Sequence, residues 1–369
     1  MKKRKIITIV FIIILFIYCT TGVNTAPIEN IAIPSVIGYD LEKNTNKDII
    51  YKIYLQTYIF GERNKVFNKT YSGTASSLIK SREERQLKLD KKFLVGLEKV
   101  DLISEAYAKY GISTIIDALF KIPFVNDTAL VAICKDNISD LLDYKIEGYP
   151  TSGDYIEGML KNANQYNFFP KDLKILDLFI SLGTEGRSVK IPCVELSEKV
   201  PKITGECLFK HDKMVFKLDM KDSRLLNILS TSNSTGILTL EEDSGKFIDY
   251  YAKVRRKVSC SKVNDVYNFT ITLNLKGDII SNELYKDIIK NPKAVAAFEK
   301  DMADNIKANC NEFINKMKNQ YKLDCLDLGI VATAKYGKDT GVDWDKVVPN
   351  SNIKVNVYVK VDTQGRGDY

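Results

Sequence analysis

Histidine is nearly absent from this chain, which has one in 369 residues, His211. Nucleophilic catalysis of the serine or cysteine hydrolase kind needs an imidazole beside the nucleophile. His211 stands in the polar stretch Lys210-His-Asp-Lys213 between two strand-like segments, where we predict a solvated turn. The sequence also has no Gly-x-Ser-x-Gly elbow, no Walker loop and no His-Glu-x-x-His motif. We therefore predict no catalytic residue, no cofactor and no metal site.

A strong excess of one charge is also missing once the N-terminus is set aside. The whole chain carries +7, from 54 Lys and Arg against 47 Asp and Glu. Residues 1–18 hold four of the basic residues and no acidic one, which leaves 50 against 47, or +3. Because a nucleic-acid-binding face needs a larger basic excess, we predict no nucleic-acid partner. The densest basic run, Lys253-Val-Arg-Arg-Lys257, is predicted to be a solvated or edge-strand face.

The chain has one long apolar run, from Ile6 to Tyr18, and it directly follows the basic residues 2–5. A basic head on a short apolar core is the build of a secretory signal, because the charges stay in the cytoplasm while the apolar segment enters the translocon. We expect residues 1–18 to be a lipoprotein signal peptide and the rest of the chain to be exported.

Cys19 ends the apolar run and is followed by small polar residues, which is typical of the lipid acceptor of a bacterial lipoprotein. Diacylglyceryl transfer supplies two acyl chains, which hold a protein on a bilayer where one chain is marginal. Phe16 and Tyr18 occupy the places where a usual lipobox has Leu and a small residue. The alternative is an uncleaved anchor over residues 6–23, which barely reaches the roughly twenty apolar residues that a bilayer needs. We favour lipidation at Cys19, with residues 19–28 as a tether, and both interpretations hold the chain outside the membrane.

The length predicts two or three small domains, since 369 residues exceed one ordinary core. The predicted fold class is α+β or mixed α/β, with packed helices on mixed or antiparallel sheets. We assign an N-terminal α/β domain to 29–190, a small middle domain to 200–245 and a C-terminal α+β domain to 246–369. Val189–Ile203 is interpreted as a connector, because Pro192 and Pro201 suit one better than a packed element.

The first domain begins with Ile31–Tyr39 and Ile50–Phe60, which alternate like the strands of an antiparallel hairpin. Asp136 is predicted to cap a short helix, and Pro170 to open the second of two helices within 152–182. The other predicted elements are a helix over 74–87, a strand over 93–97, a helix over 103–121 that is kinked at Gly111, and a strand over 128–134.

The C-terminal domain has the clearest periodicity. Asn291 as cap and Pro292 at the first position predict the start of a long helix, whose apolar residues recur every three or four positions from Val295 to Met317. We expect this helix to lie across an antiparallel sheet. The predicted strands are 247–260, 266–275, 328–334 and 353–361.

A catalytic pair of carboxylates is harder to exclude from the sequence, because two acidic residues that are distant along the chain can lie side by side in the fold. Asp324 and Asp327 follow the long helix, and we predict that they cap its end and turn into the next strand. Glu241–Asp243 is predicted to be a solvated hairpin tip. These residues allow a glycosidase-type acid pair, but nothing in the sequence supports one. Trp344, the only tryptophan, could stack on a ligand, but we predict a buried anchor under a loop.

Six cysteines remain besides Cys19, and their spacing fits no zinc site: Cys134, Cys193, Cys207, Cys260, Cys310 and Cys325. An even number permits disulfides in an exported chain. The long, irregular intervals favour small buried residues instead.

Several stretches of this chain follow one another in the same order as in one known family. They are Cys19 after its apolar core, Ile28-Glu-Asn-Ile-Ala-Ile-Pro-Ser-Val-Ile-Gly-Tyr-Asp40, Phe93-Leu-Val-Gly-Leu-Glu98, Ala129-Leu-Val-Ala-Ile-Cys134, Tyr321-Lys-Leu-Asp-Cys-Leu-Asp-Leu-Gly329, Asp343-Trp344 and Gly365. In this order the mature chain resembles the Ger(x)C spore germination lipoproteins, the C subunits of nutrient germinant receptors in endospore-forming bacteria. Family members usually have Trp directly after the lipid-bearing cysteine, where this chain has Thr20, and a second Trp after the position of Trp344.

The resemblance implies three small α/β domains on the outer face of the inner spore membrane, in a complex with two integral membrane subunits of the same receptor. Together with the export signal, it favours a lipid-anchored, non-enzymatic subunit that helps to assemble or stabilise a germinant-sensing complex. Two other classes stay open. One is the substrate-binding lipoprotein of a transporter, which the antiparallel pattern of the second half disfavours, and the other is an exported hydrolase of the spore cortex.

Overall fold

The computed structural model describes residues 2–21, 30–43, 48–60, 65–94, 96–121, 123, 125–243, 245–285, 288, 290–338 and 341–363. The predicted tether beyond Thr21 and the C-terminal Gly365 lie outside these residues. The described chain forms two β-sheets with helices packed on them. This arrangement confirms the predicted α+β class.

The first sheet has nine strands and combines parallel with antiparallel pairs. Its order is β3-β2-β1-β5-β6-β7-β8-β9, with β4 beside β1. β1, β5, β6 and β7 are parallel neighbours, whereas the flanking pairs are antiparallel. The strands are β1 (Ile31–Lys43), β2 (Ile49–Phe60), β3 (Val66–Ala75), β4 (Lys92–Phe93), β5 (Val100–Ser104), β6 (Leu130–Cys134), β7 (Lys190–Ser197), β8 (Val200–Lys210) and β9 (Lys213–Lys217).

Helices cover both faces of this sheet, because parallel neighbours need crossover connections. Leu102 and Ile103 are adjacent in β5 and point to opposite faces, so they belong to two different apolar cores. The helices are α2 (Leu78–Gln86), α3 (Glu105–Tyr110), α4 (Ser113–Lys121), α5 (Ile138–Asp143), α6 (Ser152–Asn162) and α7 (Ile175–Gly183). Every residue of β5 and β6 is buried, as expected of strands that are covered on both sides.

The second sheet has four strands in the order β10-β11-β12-β13. They are β10 (Thr235–Asp243), β11 (Lys246–Val263), β12 (Val266–Asn282) and β13 (Asn352–Thr363). The helices of this half are α8 (Met220–Ser230), α9 (Pro292–Lys316), α10 (Leu328–Tyr336) and α11 (Trp344–Val347), and a π-helical turn over Met317–Tyr321 continues α9.

The long helix α9 confirms the prediction from its periodicity. The Asn291 side chain accepts a hydrogen bond from the Lys293 N–H at 3.0 Å, and Pro292 takes the first helical position. The side chains of the predicted stripe pack into the core of the second half, with Val295 at its edge: Phe298, Met302, Ile306, Cys310, Phe313 and Met317. The hairpins β1–β2 and β11–β12 are confirmed as well, and so is the burial of the six cysteines, whose thiols are free.

The predicted connector Val189–Ile203 is wrong, because this segment forms β7 and the start of β8, which pair in antiparallel fashion inside the first sheet. Proline is tolerated in a strand where its missing N–H leaves no ladder bond unmade, or beside a bulge. Pro192 lies beside the irregularity between Cys193 and Val194. Residues 200–245, assigned to a middle domain, supply β8 and β9 to the first sheet and β10 to the second.

The predicted strand Leu328–Ala334 is also wrong, because it forms helix α10. Its buried residues Leu328, Gly329, Ala332 and Thr333 recur at helical spacing. The expected antiparallel sheet needs one correction: β13 pairs with β12 in parallel, since the long α9 crossover returns the chain to the same end of the sheet.

Smaller differences concern element ends in the first half. The helix predicted over 74–87 begins at Leu78, because Thr74 and Ala75 belong to the unpredicted strand β3. The segment predicted as one helix over 103–121 starts in β5 and is divided at Gly111, which has φ +139°. Asn137 rather than Asp136 caps α5. Pro170 precedes α7, which begins at Ile175. Of the described residues in the strand predicted over 93–97, Phe93 alone lies in a strand.

Candidate functional site

Cys19 lies near the end of helix α1 (Lys2–Thr21) and is exposed with a free thiol. Every apolar side chain of this helix from Ile6 to Tyr18 is between 49% and 78% exposed. None of them enters the apolar cores of the two halves. Among the described residues, no helix has both the length and the apolar character that crossing a bilayer requires. Cys19 is therefore exposed on a helix whose apolar side chains belong to none of the apolar cores, and its lipidation stays a prediction.

A cleft of about 690 Å³ lies where the two halves of the chain meet. Three segments form most of its lining: the stretch 181–189 at the end of α7 and beyond it, the turn 211–212 between β8 and β9, and the stretch 341–345 at the start of α11. Asp324 lies on its wall. The cleft thus contains two of the features that the sequence singled out, the lone histidine and the lone tryptophan, together with one of the acid pair.

Asp327 joins the halves on one side of this cleft. Its carboxylate accepts hydrogen bonds from the Ser188 N–H and hydroxyl, both at 2.8 Å, and from Lys190 Nζ at 2.6 Å. Burial disfavours its ionised form, but Lys190 and the two Ser188 donors outweigh this and lower the pKa of Asp327. Asp327 is therefore a charged link between β7 and the start of α10.

Asp324 has a different role three residues earlier. Its carboxylate accepts hydrogen bonds from the backbone N–H groups of Leu326 and Leu328, at 3.1 Å each, and of Gly329 at 2.6 Å. These bonds satisfy donors at the N-terminus of α10, which would otherwise be unpaired. Burial, with a contribution from neighbouring Asp327, raises the pKa of Asp324 to about 7. The acid pair thus opens the next element, as predicted, but that element is a helix and neither residue caps α9.

Trp344 is a buried anchor, as the sequence predicted. Its indole Nε1 donates a hydrogen bond to Glu185 Oε1 at 3.2 Å, and its ring packs against Gly329 so closely that a β-carbon there would lie 2.7 Å from Trp344 Cγ. The Ile330 N–H donates to the Gly186 carbonyl at 2.9 Å. Backbone and indole therefore meet directly across the junction of the two halves.

His211 occupies the exposed tip of the β8–β9 turn with φ +54°, which confirms the predicted turn. The neighbouring Asp212 carbonyl accepts a hydrogen bond from the Ile112 N–H at 2.9 Å. The run Lys253–Lys257 is exposed at both ends, but Arg256 turns inward and donates to the Leu326 carbonyl at 2.8 Å. No cluster of three potential metal ligands occurs within the described ranges.

The chemistry of the cleft is that of a structural junction. Asp324 on its wall and Asp327 beside Ser188 already accept three protein hydrogen bonds each, so the acid pair that the sequence singled out is engaged by the protein itself. Sequence reasoning missed Ser188, Lys190 and Glu185, because their partners lie more than 130 residues away along the chain. A weak signal was present in Lys190, a lysine that directly precedes the apolar run Ile191–Val194.

The two halves of the chain match known families in order. Residues 24–196 match the family described as spore germination protein N-terminal domain, and residues 204–365 match the family described as spore germination B3/GerAC like, C-terminal. The spore germination protein GerQC of Bacillus cereus is 20% identical over 363 residues, covering 96% of this chain and 98% of that protein. The crystal structure of the GerBC protein has the same fold, with a TM-score of 0.58 and 16% identity over 88% of this chain and 97% of that chain. This chain belongs to the Ger(x)C family of spore germination proteins.

Proposed function

We propose that this chain is a lipid-anchored, non-enzymatic subunit of a spore germinant receptor complex, needed for assembly or function of that receptor in nutrient-triggered germination. The observation that carries the proposal is the family match, which continues from residue 24 to residue 365 with a gap of seven residues. GerQC, a protein named for spore germination, matches along nearly its whole length.

The proposed site of action is the outer face of the inner spore membrane. A basic head, an apolar core and an accessible Cys19 support export followed by lipidation. In this arrangement the two acyl chains hold the folded body beside two integral membrane subunits of the same receptor. The exposed position of Cys19, on a helix that belongs to none of the apolar cores, is compatible with enzymatic modification.

A non-enzymatic role is supported by the bonding of the acid pair. The Asp324 carboxylate accepts a hydrogen bond from the N-terminus of α10 at Gly329. The Asp327 carboxylate accepts hydrogen bonds from Ser188 and Lys190. A general acid or base must be within hydrogen-bond reach of a substrate proton, and these carboxylates are already engaged by the protein.

Deletion of the gene in its spore-forming host tests the proposed function. We expect nutrient-triggered germination to slow or stop, while vegetative growth and sporulation continue unchanged, and the cloned gene should restore germination. Unchanged germination in a host without a paralogue would contradict the proposal. Loss of turbidity when the purified protein is added to cortex peptidoglycan would instead support a hydrolase.

Labelling with a clickable fatty acid tests the anchor. We expect the wild-type chain and a Thr21→Ala control to carry the label and to sediment with membranes, while Cys19→Ala carries none. Label that is retained after Cys19→Ala would overturn lipidation at this residue. Affinity purification from spore inner membranes then tests the partners, since two co-purifying integral membrane proteins are expected.

A further inference from the structure

Two of the buried cysteines, Cys193 in β7 and Cys207 in β8, lie side by side on neighbouring strands, and we call them the thiol pair. In the antiparallel register Cys193 is opposite Gly205, two positions before Cys207. The two cysteines are therefore diagonal neighbours, and their side chains belong to the same apolar core on one face of the first sheet. Both residues are fully buried and both thiols are free.

A β-bulge brings the two sulfur atoms together. The register of the ladder shifts between Cys193 and Val194, where β8 has one extra residue, Thr204. Bulges increase the local twist of a strand, and Gly205 beside this one has φ +148°, a conformation that favours glycine. At this point the Cys207 thiol donates a hydrogen bond to the Cys193 sulfur. The strands thus hold the two thiols in contact.

Lys217 in β9 completes the surroundings of the thiol pair. It is directly opposite Cys207 in the β8–β9 ladder, and its ammonium lies close to both sulfur atoms. Its side chain is 25% exposed and also pairs with Glu195 at 3.2 Å. The buried Thr204 hydroxyl, which has no other hydrogen-bond partner among the described residues, lies where it can donate to a Cys193 thiolate. A cation and a donor are therefore in place for the negative charge of a thiolate.

The two thiols differ in acidity. The hydrogen bond from Cys207, together with the nearby cation and hydroxyl, outweighs burial and lowers the pKa of Cys193. The same hydrogen bond and burial raise the pKa of Cys207. A thiol that is buried without such partners behaves differently, since burial raises the pKa of Cys310 to about 12. Cys193 is therefore the nucleophile of the pair, and Cys207 is the neutral thiol beside it.

Strand β9 controls access to the thiol pair from solvent. It has five residues and lies at the edge of the first sheet, where it pairs with β8 alone among the described strands. A short edge strand opens locally at a lower free-energy cost than a central strand. Such an opening moves Lys217 away from the pair, and it admits a molecule of two non-hydrogen atoms more readily than a bulky reagent.

From these contacts we propose that Cys193 and Cys207 are a redox-active dithiol, which hydrogen peroxide converts into a disulfide. In the first step the Cys193 thiolate attacks one peroxide oxygen, the O–O bond breaks, and the departing hydroxide takes up the thiol proton to become water. The product is a sulfenic acid on Cys193. In the second step the Cys207 sulfur attacks the Cys193 sulfur, the S–O bond breaks, and a second water molecule leaves. Overall, two thiols and one peroxide give one disulfide and two water molecules.

The other buried cysteines are placed where they cannot replace Cys207 as the partner. Cys134 lies in β6, next to β7, but its side chain belongs to the core on the opposite face of the sheet. Three more belong to the core of the second half: Cys260, Cys310 and Cys325. One disulfide, between Cys193 and Cys207, is therefore the expected product. This site is independent of the proposed receptor role, and either inference can fail while the other holds.

Peptide mapping of the full-length chain in detergent micelles tests the reaction. The native protein is treated with peroxide, then denatured and alkylated with or without prior reduction, and its cysteine peptides are compared by mass spectrometry. We expect Cys193 and Cys207 to become resistant to alkylation together, and reduction to restore both. Cys260 and Cys310, which are buried away from the pair, should stay alkylatable. A thiol pair that stays free while the exposed Cys19 is oxidised, or equally fast oxidation of Cys260 and Cys310, would overturn the proposal.

Variants that are folded by circular dichroism assign the two roles. Cys207→Ser should leave a sulfenic acid on Cys193, which dimedone added during denaturation labels, whereas Cys193→Ser should leave Cys207 unlabelled. Lys217→Met should slow disulfide formation by about tenfold, because it removes the cation that favours the thiolate. Lys217→Arg, which keeps the charge, should restore the rate. Lys213→Met is the matched control from the same strand, where Lys213 is exposed, and should react like the wild type. Dimedone on Cys207 instead of Cys193, or a wild-type rate in Lys217→Met, would contradict the assigned roles.

Discussion

At the scale of single residues, the junction holds two aspartates that face opposite electrostatic environments three positions apart. Asp327 gains a lysine and two donors from Ser188, which favour its charged form. Asp324 is buried and lies beside that charge, which disfavours its own ionisation despite three backbone donors. The two carboxyl groups therefore make contributions to stability with opposite dependence on pH.

Asp327→Asn should destabilise the protein by about 3 kcal/mol, because it leaves Lys190 partly buried without its counter-charge. The pKa of Asp327 is lower in the folded state, so its contribution is present above the unfolded pKa and is lost as the pH falls through the folded value. Urea unfolding at pH 7 measures the change. Asp243→Asn, which breaks the exposed pair with Lys246, is the control and should change stability by less than about 0.5 kcal/mol. An equal loss in both variants would contradict the role of Asp327.

Asp324→Asn should change the pH profile in the opposite sense. The pKa of Asp324 is raised to about 7 in the folded state, so its contribution is complete below the unfolded pKa and is lost as the pH rises toward 7. Relative to the Asn variant, the wild type should lose up to about 4 kcal/mol of unfolding free energy between pH 4 and pH 7. Urea unfolding at a series of pH values in that window measures the difference. Parallel profiles for the two proteins would show that Asp324 does not titrate there.

At the scale of elements, α10 lies so close to the chain after α7 that only glycines fit at the contact. A β-carbon on Gly186, which has φ +74°, would lie 2.4 Å from the Gly329 carbonyl carbon. The contact brings the Gly186 carbonyl to the Ile330 N–H and places the Trp344 ring over Gly329. Glycine here sets the distance between helix and loop.

Gly329→Ala should destabilise the protein by about 2 kcal/mol, because the added methyl group overpacks the contact with Trp344. Gly183→Ala serves as the control, since a β-carbon at Gly183 meets nothing within 4 Å. Thermal unfolding of the two variants measures the difference. A Gly183→Ala protein that is as destabilised as Gly329→Ala would rule out packing at the junction as the cause.

The elements that the sequence predicted are those whose pattern is local. The cap at Asn291 and the spacing of α9 are contained in one stretch, and so is the alternation of β11 and β12. The prolines of β7 and β8 misled the prediction because their effect depends on which side of the ladder each missing N–H faces. The apolar run after Asp327 was ambiguous between strand and helix, and the backbone N–H groups of Leu328 and Gly329 that bond to Asp324 belong to the helical outcome. In the candidate site, Asp324 and Asp327 stood out early, but Ser188 and Lys190 could not be paired with Asp327 from the sequence.

At the scale of the whole molecule, the loop after α6 joins the first half of the chain to strand β10 of the second sheet. The Phe168 N–H donates to the Thr235 carbonyl at 2.8 Å, and the Ile237 N–H donates to the Tyr166 carbonyl at 3.0 Å. Phe168, which follows α6, and Leu208, which lies in strand β8 of the first sheet, belong to the same apolar core as α9. These connections predict that the halves are stable as one unit.

Trp344, the only tryptophan of the chain, reports on the junction directly. We expect its fluorescence and the far-ultraviolet circular dichroism to change with one midpoint in urea, because coincident transitions mark a two-state process. A fluorescence change that precedes the loss of secondary structure would show that the halves separate first. Gly329→Ala, which strains the junction, is the variant in which such a separation would be seen most easily.

The burial of six thiols beside one exposed thiol gives the folded chain a built-in chemical tag. A maleimide dye added to the native protein should react at position 19 and leave the other sulfur atoms untouched. A diacylglyceryl group on that sulfur would block the reaction, so the dye-to-protein ratio would report what fraction of a preparation has matured.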